Sequence, residues 1–146
     1  MRERRALQTL REIAATQSAL KLASEASLAG AIDLERARES DVLHAHGRLK
    51  EAIEDWRGAL KRPAVDATLL RLFAEAPKSR EIELNNAEAA RTKAQAHTDA
   101  QRLRHGEIIA RVRHSALLYT RVKRRLERKQ EEKTLSALEL ISPVRP

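Results

Sequence analysis

The sequence predicts an all-α fold in which two long helices form an antiparallel coiled-coil hairpin with a short helical tip. Apolar residues recur every three or four positions along most of the 146 residues, which is the spacing of an amphipathic helix. Only four glycines and four prolines occur, too few for the many turns of a β-sandwich or barrel. The apolar residues include 25 alanines and only three aromatic residues, beside 34% charged residues. We therefore expect one elongated domain over residues 1–146 with a thin core.

The first helix is predicted over about residues 3–61. Two series of positions spaced by seven residues mark its packing face, with Leu28, Glu35, Val42, Leu49 and Trp56 in one and Ala31, Arg38, Ala45, Ala52 and Ala59 in the other. This pattern is that of an imperfect coiled-coil seam. Before Leu28 we expect the stripe to move to Ile13, Leu20 and Ser27, because the 3.6 residues of a helical turn do not divide seven evenly.

The segment 62–78 interrupts this pattern and is predicted to form the short tip. Pro63 ends the first helix, Asp66 can cap a short helix over residues 67–76, and Pro77 ends that helix in turn. We therefore expect the chain to reverse its direction within this tip.

The tip is rich in apolar side chains. Four of them lie within five positions, namely Leu69, Leu70, Leu72 and Phe73. They either fold back to close the end of the hairpin or form a surface for a partner, since exposed apolar patches mark binding sites. Residues three apart share a helix face, so the spacing favours Leu69 and Leu72 facing inward and Leu70 and Phe73 facing outward.

The second helix is predicted over about residues 79–141, followed by a frayed tail at 142–146. A seven-residue series again marks its packing face, with Leu84, Val112, Tyr119, Leu126 and Leu140 as members and Arg91, Thr98, His105 and Lys133 as interruptions. A reversal near Leu70 would place residue n opposite residue 140 − n, and so Leu28 beside Val112. The apolar series of the two helices then coincide, which favours an antiparallel hairpin.

The sequence contains no pattern for catalysis or metal binding. Cysteine is absent, which excludes disulfides, thiolate ligands and cysteine nucleophiles. Among the five histidines only His44 has a ligand-like helical spacing, three residues after Asp41, whereas a dimetal site in a helical bundle needs two such pairs and further glutamates. No glycine-rich phosphate loop, nucleophile elbow or HExxH zinc pattern occurs. We predict a protein that is not an enzyme, with no catalytic residue, no metal and no cofactor.

No part of the sequence predicts insertion into a membrane. A membrane span needs about 18 to 20 apolar residues in succession, and no stretch approaches that length. The arginines at the N-terminus resemble the start of a signal peptide, but Arg11 and Glu12 interrupt the apolar run that should follow them. We therefore expect no signal peptide.

Charge is distributed unevenly along the chain. The net charge is +8, and residues 1–11 contribute +3 while residues 102–129 contribute +8, so that the remainder is slightly acidic. An antiparallel hairpin would bring both basic segments to one end. The residues expected to meet there are Arg2, Arg4, Arg5, Arg11, Arg121, Lys123, Arg124, Arg125, Arg128 and Lys129. They form either an ordinary solvated face or a binding surface for an acidic partner.

That acidic partner can be nucleic acid or protein. Basic helices can follow phosphates along a duplex. However, Tyr119 is the one aromatic residue available for base stacking in the basic region, and no helix-turn-helix, zipper-type basic region or RNA-binding module is visible. A protein partner is therefore favoured, and a basic coiled-coil adaptor or nucleic-acid-associated protein is the alternative.

Three features of the chain together resemble a known family. They are the basic, leucine-bearing opening MRERRALQTLREI, the proline-marked break near mid-chain, and the returning basic segment RVKRRLERKQEEK at residues 121–133. This layout resembles the small stalk proteins of bacterial type III secretion, the YscO (SctO) family of injectisomes and the FliJ family of flagella. Those proteins are similar to the central rotor subunit of rotary ATPases.

The resemblance implies a place and partners for this chain. The basic terminal end would lie in the hexamer of a secretion ATPase, and Leu70 and Phe73 at the tip would contact an export-gate protein. Secretion chaperones are further candidate partners, and the location would be cytoplasmic, at the base of a secretion apparatus. The resemblance leaves open whether the chain is of the flagellar or the injectisome type and whether it dimerises.

Overall fold

The computed structural model describes residues 1–63 and 66–141 and contains two helices in these ranges. Helix α1 spans Arg2–Lys61 and helix α2 spans Ala67–Ile141. The two helices pack against each other in antiparallel directions, and no strand occurs among the described residues. The predicted all-α helical hairpin is confirmed.

The contacts of the chain group into two compact units. The terminal unit comprises residues 1–25 and 104–146, and the central unit comprises residues 26–103. Paired helices contact only residues at the same level along their axes, so their contacts stay local and need not form one shared core.

The two predicted series on α1 lie at the packing face of the central unit. The buried apolar residues there are Ala31, Val42, Ala45, Ala52 and Ala59 from α1 and Leu84 and Ala94 from α2. Val42, Ala45 and Leu84 form one cluster, and Leu49 and Ala87 pack against it. Because most of these side chains are alanine, the core is thin, as the composition predicted.

The predicted shift of the stripe before Leu28 is wrong. Ile13, Leu20 and Ser27 are exposed, and the seven-residue series continues instead through half-buried positions and the buried Ser24. The half-buried members are Leu7, Leu10, Ala14, Gln17 and Lys21. Two helices that remain packed together keep a period of 3.5 residues, so the series does not drift as it would on an isolated straight helix.

The pairing register also differs from the prediction. Residue n lies opposite about residue 130 − n, as the pairs Ser24 with His105 and Ala31 with Thr98 demonstrate. The predicted value of 140 − n is in error by about 15 Å along the helices. The reason is that α2 begins at Ala67, so the chain reverses between Lys61 and Ala67 rather than near Leu70.

The predicted separate tip helix does not form, because α2 continues through Pro77. A proline inside a helix removes one backbone hydrogen bond and costs about 3 kcal/mol. The packing of α2 on α1 around Leu84 opposes this cost. The predicted cap is confirmed, since the Thr68 amide donates a hydrogen bond of 3.3 Å to Asp66 Oδ1. The predicted frayed tail and residues 64–65 of the tip lie outside the described residues.

The orientation predicted for the apolar tip residues is wrong. Leu69 and Leu72 are 48% and 63% exposed, whereas Leu70 and Phe73 are half-buried. Leu70 lies fourteen residues before the buried Leu84 and therefore on the same seven-residue series. The uninterrupted helix thus turns Leu70 and Phe73 toward α1.

Candidate functional site: a basic surface on the terminal unit

The ten basic residues singled out from the sequence all lie in the terminal unit, and all ten are exposed. The start of α1 and the last third of α2 carry them, and two contacts join these segments. Lys129 Nζ donates a hydrogen bond to Glu3 Oε1, and Arg11 Nε donates one of 3.3 Å to the Tyr119 hydroxyl. The structure therefore brings the two basic segments together.

Arg11 also lies over the face of the Tyr119 ring. Its guanidinium carbon is 6.0 Å from the ring centroid, at the outer limit of a cation–π interaction. Tyr119, considered in the sequence as a base-stacking residue, is half-buried and holds Arg11 against α2. Its ring therefore serves the pairing of the helices.

The whole charge excess belongs to the terminal unit. That unit contains 16 basic and 8 acidic side chains, whereas the central unit contains 13 of each. The hydrogen bond from Lys129 lowers the pKa of Glu3, and the positive charges of Lys129, the N-terminus and Lys133 act in the same direction. Glu3 therefore stays ionised in a strongly positive surrounding.

The last turns of α2 extend past the start of α1. Glu3 pairs with Lys129, and Gln130 and Lys133 still line a groove with Met1 and Glu3, so residues 134–141 extend beyond the start of α1, and all of them are exposed. This segment, called here the uncovered end, carries the exposed apolar residues Leu135, Leu138, Leu140 and Ile141. The sequence predicted Leu140 in the seam because it lies on the seven-residue series of Leu126, although that series runs on past the start of α1. A helix start at Ala67 would have revealed the overhang.

The predicted gate-binding pair lies in the central unit, in a groove between α1 and α2. Phe73 lines this groove together with Leu72 and Ala76 of α2, and with Ala52 and Asp55 of α1. Leu70 is half-buried beside it along the same helix. The apolar surface available to a partner at this place is therefore that of Leu69 and Leu72.

Polar residues inside the seam contact the opposite helix, although the sequence treated them as interruptions. Thr98 is fully buried, and its Oγ1 lies 3.2 Å from the Ala31 carbonyl oxygen and 3.0 Å from that of Ala94. In the terminal unit, Ser24 Oγ donates to the Lys21 carbonyl at 2.9 Å and lies 2.6 Å from His105 Nδ1. These contacts help to define which residues of α1 and α2 lie opposite each other.

Asp41 and His44, the two residues with ligand-like spacing, both lie at exposed positions of α1. Asp41 accepts a hydrogen bond of 3.2 Å from Arg38. Within residues 1–63 and 66–141, no three histidine, aspartate or glutamate side chains are grouped so that they could hold a metal ion. Across the same residues, neither helix has a stretch long and apolar enough to cross a membrane.

Comparison of the chain with protein-family models, with curated proteins and with solved structures finds no match.

Proposed function

We propose that this chain is the central stalk of a type III secretion ATPase complex, at the cytoplasmic base of a secretion apparatus. The terminal unit would insert into the ATPase hexamer, and the chain would link that hexamer to the export gate. The observation that supports this most is the confinement of the net charge of +8 to the terminal unit, where both basic segments are exposed. A concentrated positive surface favours fast, oriented docking into an acidic partner.

The uncovered end adds an apolar element to the proposed ATPase contact. It follows Arg128, Lys129 and Lys133 along α2, so one helix would present basic residues and then leucines to the hexamer. Basic residues steer the encounter, whereas buried apolar side chains supply most of the affinity. We assign the gate contact to Leu69 and Leu72, which are exposed, rather than to the half-buried Leu70 and Phe73.

Stimulation of the cognate secretion ATPase tests the proposed contact. Reversal of Arg121, Arg124, Arg125 and Arg128 to glutamate should abolish stimulation and pulldown while leaving helicity unchanged, because all four are exposed. A matched control reverses four exposed basic residues of the central unit, namely Arg36, Lys50, Arg57 and Arg71. Both variants have the same net charge, so a difference in ATPase stimulation between them must arise from the particular residues that were changed. Equal stimulation by the two variants contradicts the proposal.

The same exposed arginines favour nucleic acid as the second candidate partner. Binding that depends on phosphate contacts weakens steeply as salt is raised, because the release of counterions from the nucleic acid then yields less free energy. Tight binding of duplex DNA or RNA at about 150 mM salt, lost in the arginine variant and retained in the control, would favour the nucleic-acid-associated alternative. Absence of such binding together with ATPase stimulation supports the stalk.

The gate contact has its own test in a secretion assay. Leu69→Ser with Leu72→Ser should reduce secretion and leave ATPase stimulation intact, because the exposed pair lies in the central unit. The control, Leu43→Ser, changes an exposed leucine of α1 and should leave secretion unchanged. Normal secretion with the double variant would remove these leucines from the proposed contact.

A further inference from the structure

Helix α2 carries a second apolar series, on the face opposite to the seam. Ile82, Ala89, Ala96 and Leu103 follow each other at intervals of seven residues within the central unit. All four are exposed, Ile82 at 61% and Leu103 at 69%. A seven-residue apolar series on a helix face is the pattern that packs against another helix. Helix α1 does not cover it, because α1 packs on the side of Leu84 and Thr98.

This outer series is symmetric about its midpoint, which lies between Thr92 and Lys93. Ile82 and Leu103 are equally far from that midpoint, and so are Ala89 and Ala96. Two copies of α2 laid antiparallel about this point would bring Ile82 of one copy against Leu103 of the other and Ala89 against Ala96. We infer that a second copy of this chain docks on this face, to form an antiparallel dimer through α2.

One pair of opposite charges beside the outer series fits the antiparallel arrangement. Residues on the same flank face each other in an antiparallel helix pair, which places Glu81 of one copy near Arg102 of the other, twice in the dimer. Both side chains are exposed and can reach across the interface. A parallel pair would instead place residues of opposite flanks side by side, so Glu81 and Arg102 of the two copies would not meet.

One residue opposes the antiparallel dimer. Lys93 lies beside the axis of symmetry, and the antiparallel arrangement brings it near Lys93 of the second copy. The side chain is long and exposed, so its ammonium group can bend away into solvent. Replacement of Lys93 by alanine should therefore tighten the dimer several-fold.

The dimer is expected to be weak. The series spans Ile82 to Leu103, about 32 Å of helix, and only its two ends carry large side chains. An interface of this size falls below the range of about 1,200 to 2,000 Å² that stable complexes bury. A dissociation constant on the order of 100 μM is reasonable for it.

Cysteine crosslinking tests the geometry, because the natural chain has no cysteine. In the antiparallel dimer, Ala89 lies level with Ala96 of the second copy, whereas identical positions are about 10 Å apart along the axis. A disulfide needs Cα atoms within about 4.4 to 6.8 Å. The mixture of Ala89→Cys and Ala96→Cys should therefore form a disulfide dimer at about 100 μM, and each variant alone should form several-fold less.

Sedimentation of the cysteine-free chain provides the independent measurement. Wild type should show monomer and dimer in exchange between about 10 μM and 1 mM, Ile82→Glu should remain monomeric, and the control Leu43→Glu on α1 should dimerise as wild type does. All these positions are exposed, so circular dichroism should show intact helices. A wild-type chain that stays monomeric up to about 1 mM would overturn the inference. Equal disulfide crosslinking by the single cysteine variants and by their mixture would also overturn it, because this result indicates a parallel or unspecific contact.

Discussion

Two mid-helix glycines should each lower the stability of this fold without serving its packing. Gly47 lies in α1 of the central unit and Gly106 in α2 of the terminal unit, and both are exposed. A Cβ atom added at either position would meet no heavy atom within 4 Å, and neither residue has a positive φ. Glycine in a helix interior costs roughly 0.5 to 1 kcal/mol relative to alanine, because its unfolded backbone is freer. We therefore expect Gly47→Ala and Gly106→Ala to stabilise the fold by this amount each.

The two substitutions lie far apart in sequence and share no partner, so their effects should add to about 1 to 2 kcal/mol. For a chain of this length that corresponds to a rise in Tm of roughly 3 to 6 °C, measured by circular dichroism at 222 nm. The reverse changes Ala37→Gly and Ala110→Gly, at exposed helical positions, are the matched controls and should lower Tm by a similar amount. A fall in Tm for either glycine variant would refute the reasoning, since it would mean that a side chain at that position clashes with something.

Three further predictions concern the seam and its register. Leu84→Ala should lower the free energy of unfolding by about 2 to 4 kcal/mol, since Leu84 is buried against Val42, whereas Leu43→Ala at an exposed position should stay within about 0.5 kcal/mol, as measured by urea titration. Lys129 lowers the pKa of Glu3, so this ion pair stabilises the fold above pH 4.5, and the stabilisation is lost as the pH falls through the lowered pKa. Lys129→Ala should raise the pKa of Glu3 toward 4.5 in a carboxyl NMR titration. An unchanged pKa would mean that the pair does not form in solution. In the double variant Glu3→Cys with Lys129→Cys, oxidation should form a disulfide within one chain. The double variant Glu3→Cys with Ala137→Cys should remain reduced. A disulfide in the second variant and none in the first would support the register of 140 − n.

The sequence predicted the packing faces well because they depend on local spacing alone. The series through Val42 and through Ala45 could be counted directly, and the structure buries both residues. The meeting of the two basic segments followed from antiparallel pairing, which a register error of ten residues does not abolish. These parts of the fold and of the candidate site needed no knowledge of the turn.

The parts that could not be predicted all depend on where the chain reverses. Pro77 predicts a helix end from local propensity, yet Leu70 and Pro77 continue the seven-residue series of Leu84 backward, and α2 runs through both. A proline costs one helical hydrogen bond, and local propensity cannot weigh this cost against packing on another helix. The misplaced turn shifted the register, and with it the uncovered end and the orientation of Phe73.

The contacts of the terminal unit determine how much of α2 lies beyond α1. The pairs Ser24 with His105 and Glu3 with Lys129 are side-chain-specific, and neither pair recurs one heptad away. A slip of α2 by one heptad would break both and change the uncovered end by seven residues, or about 10 Å. The reach of this helix into a partner is thus a property that evolution can lengthen or shorten by changing a few seam residues, with no insertion or deletion in the chain.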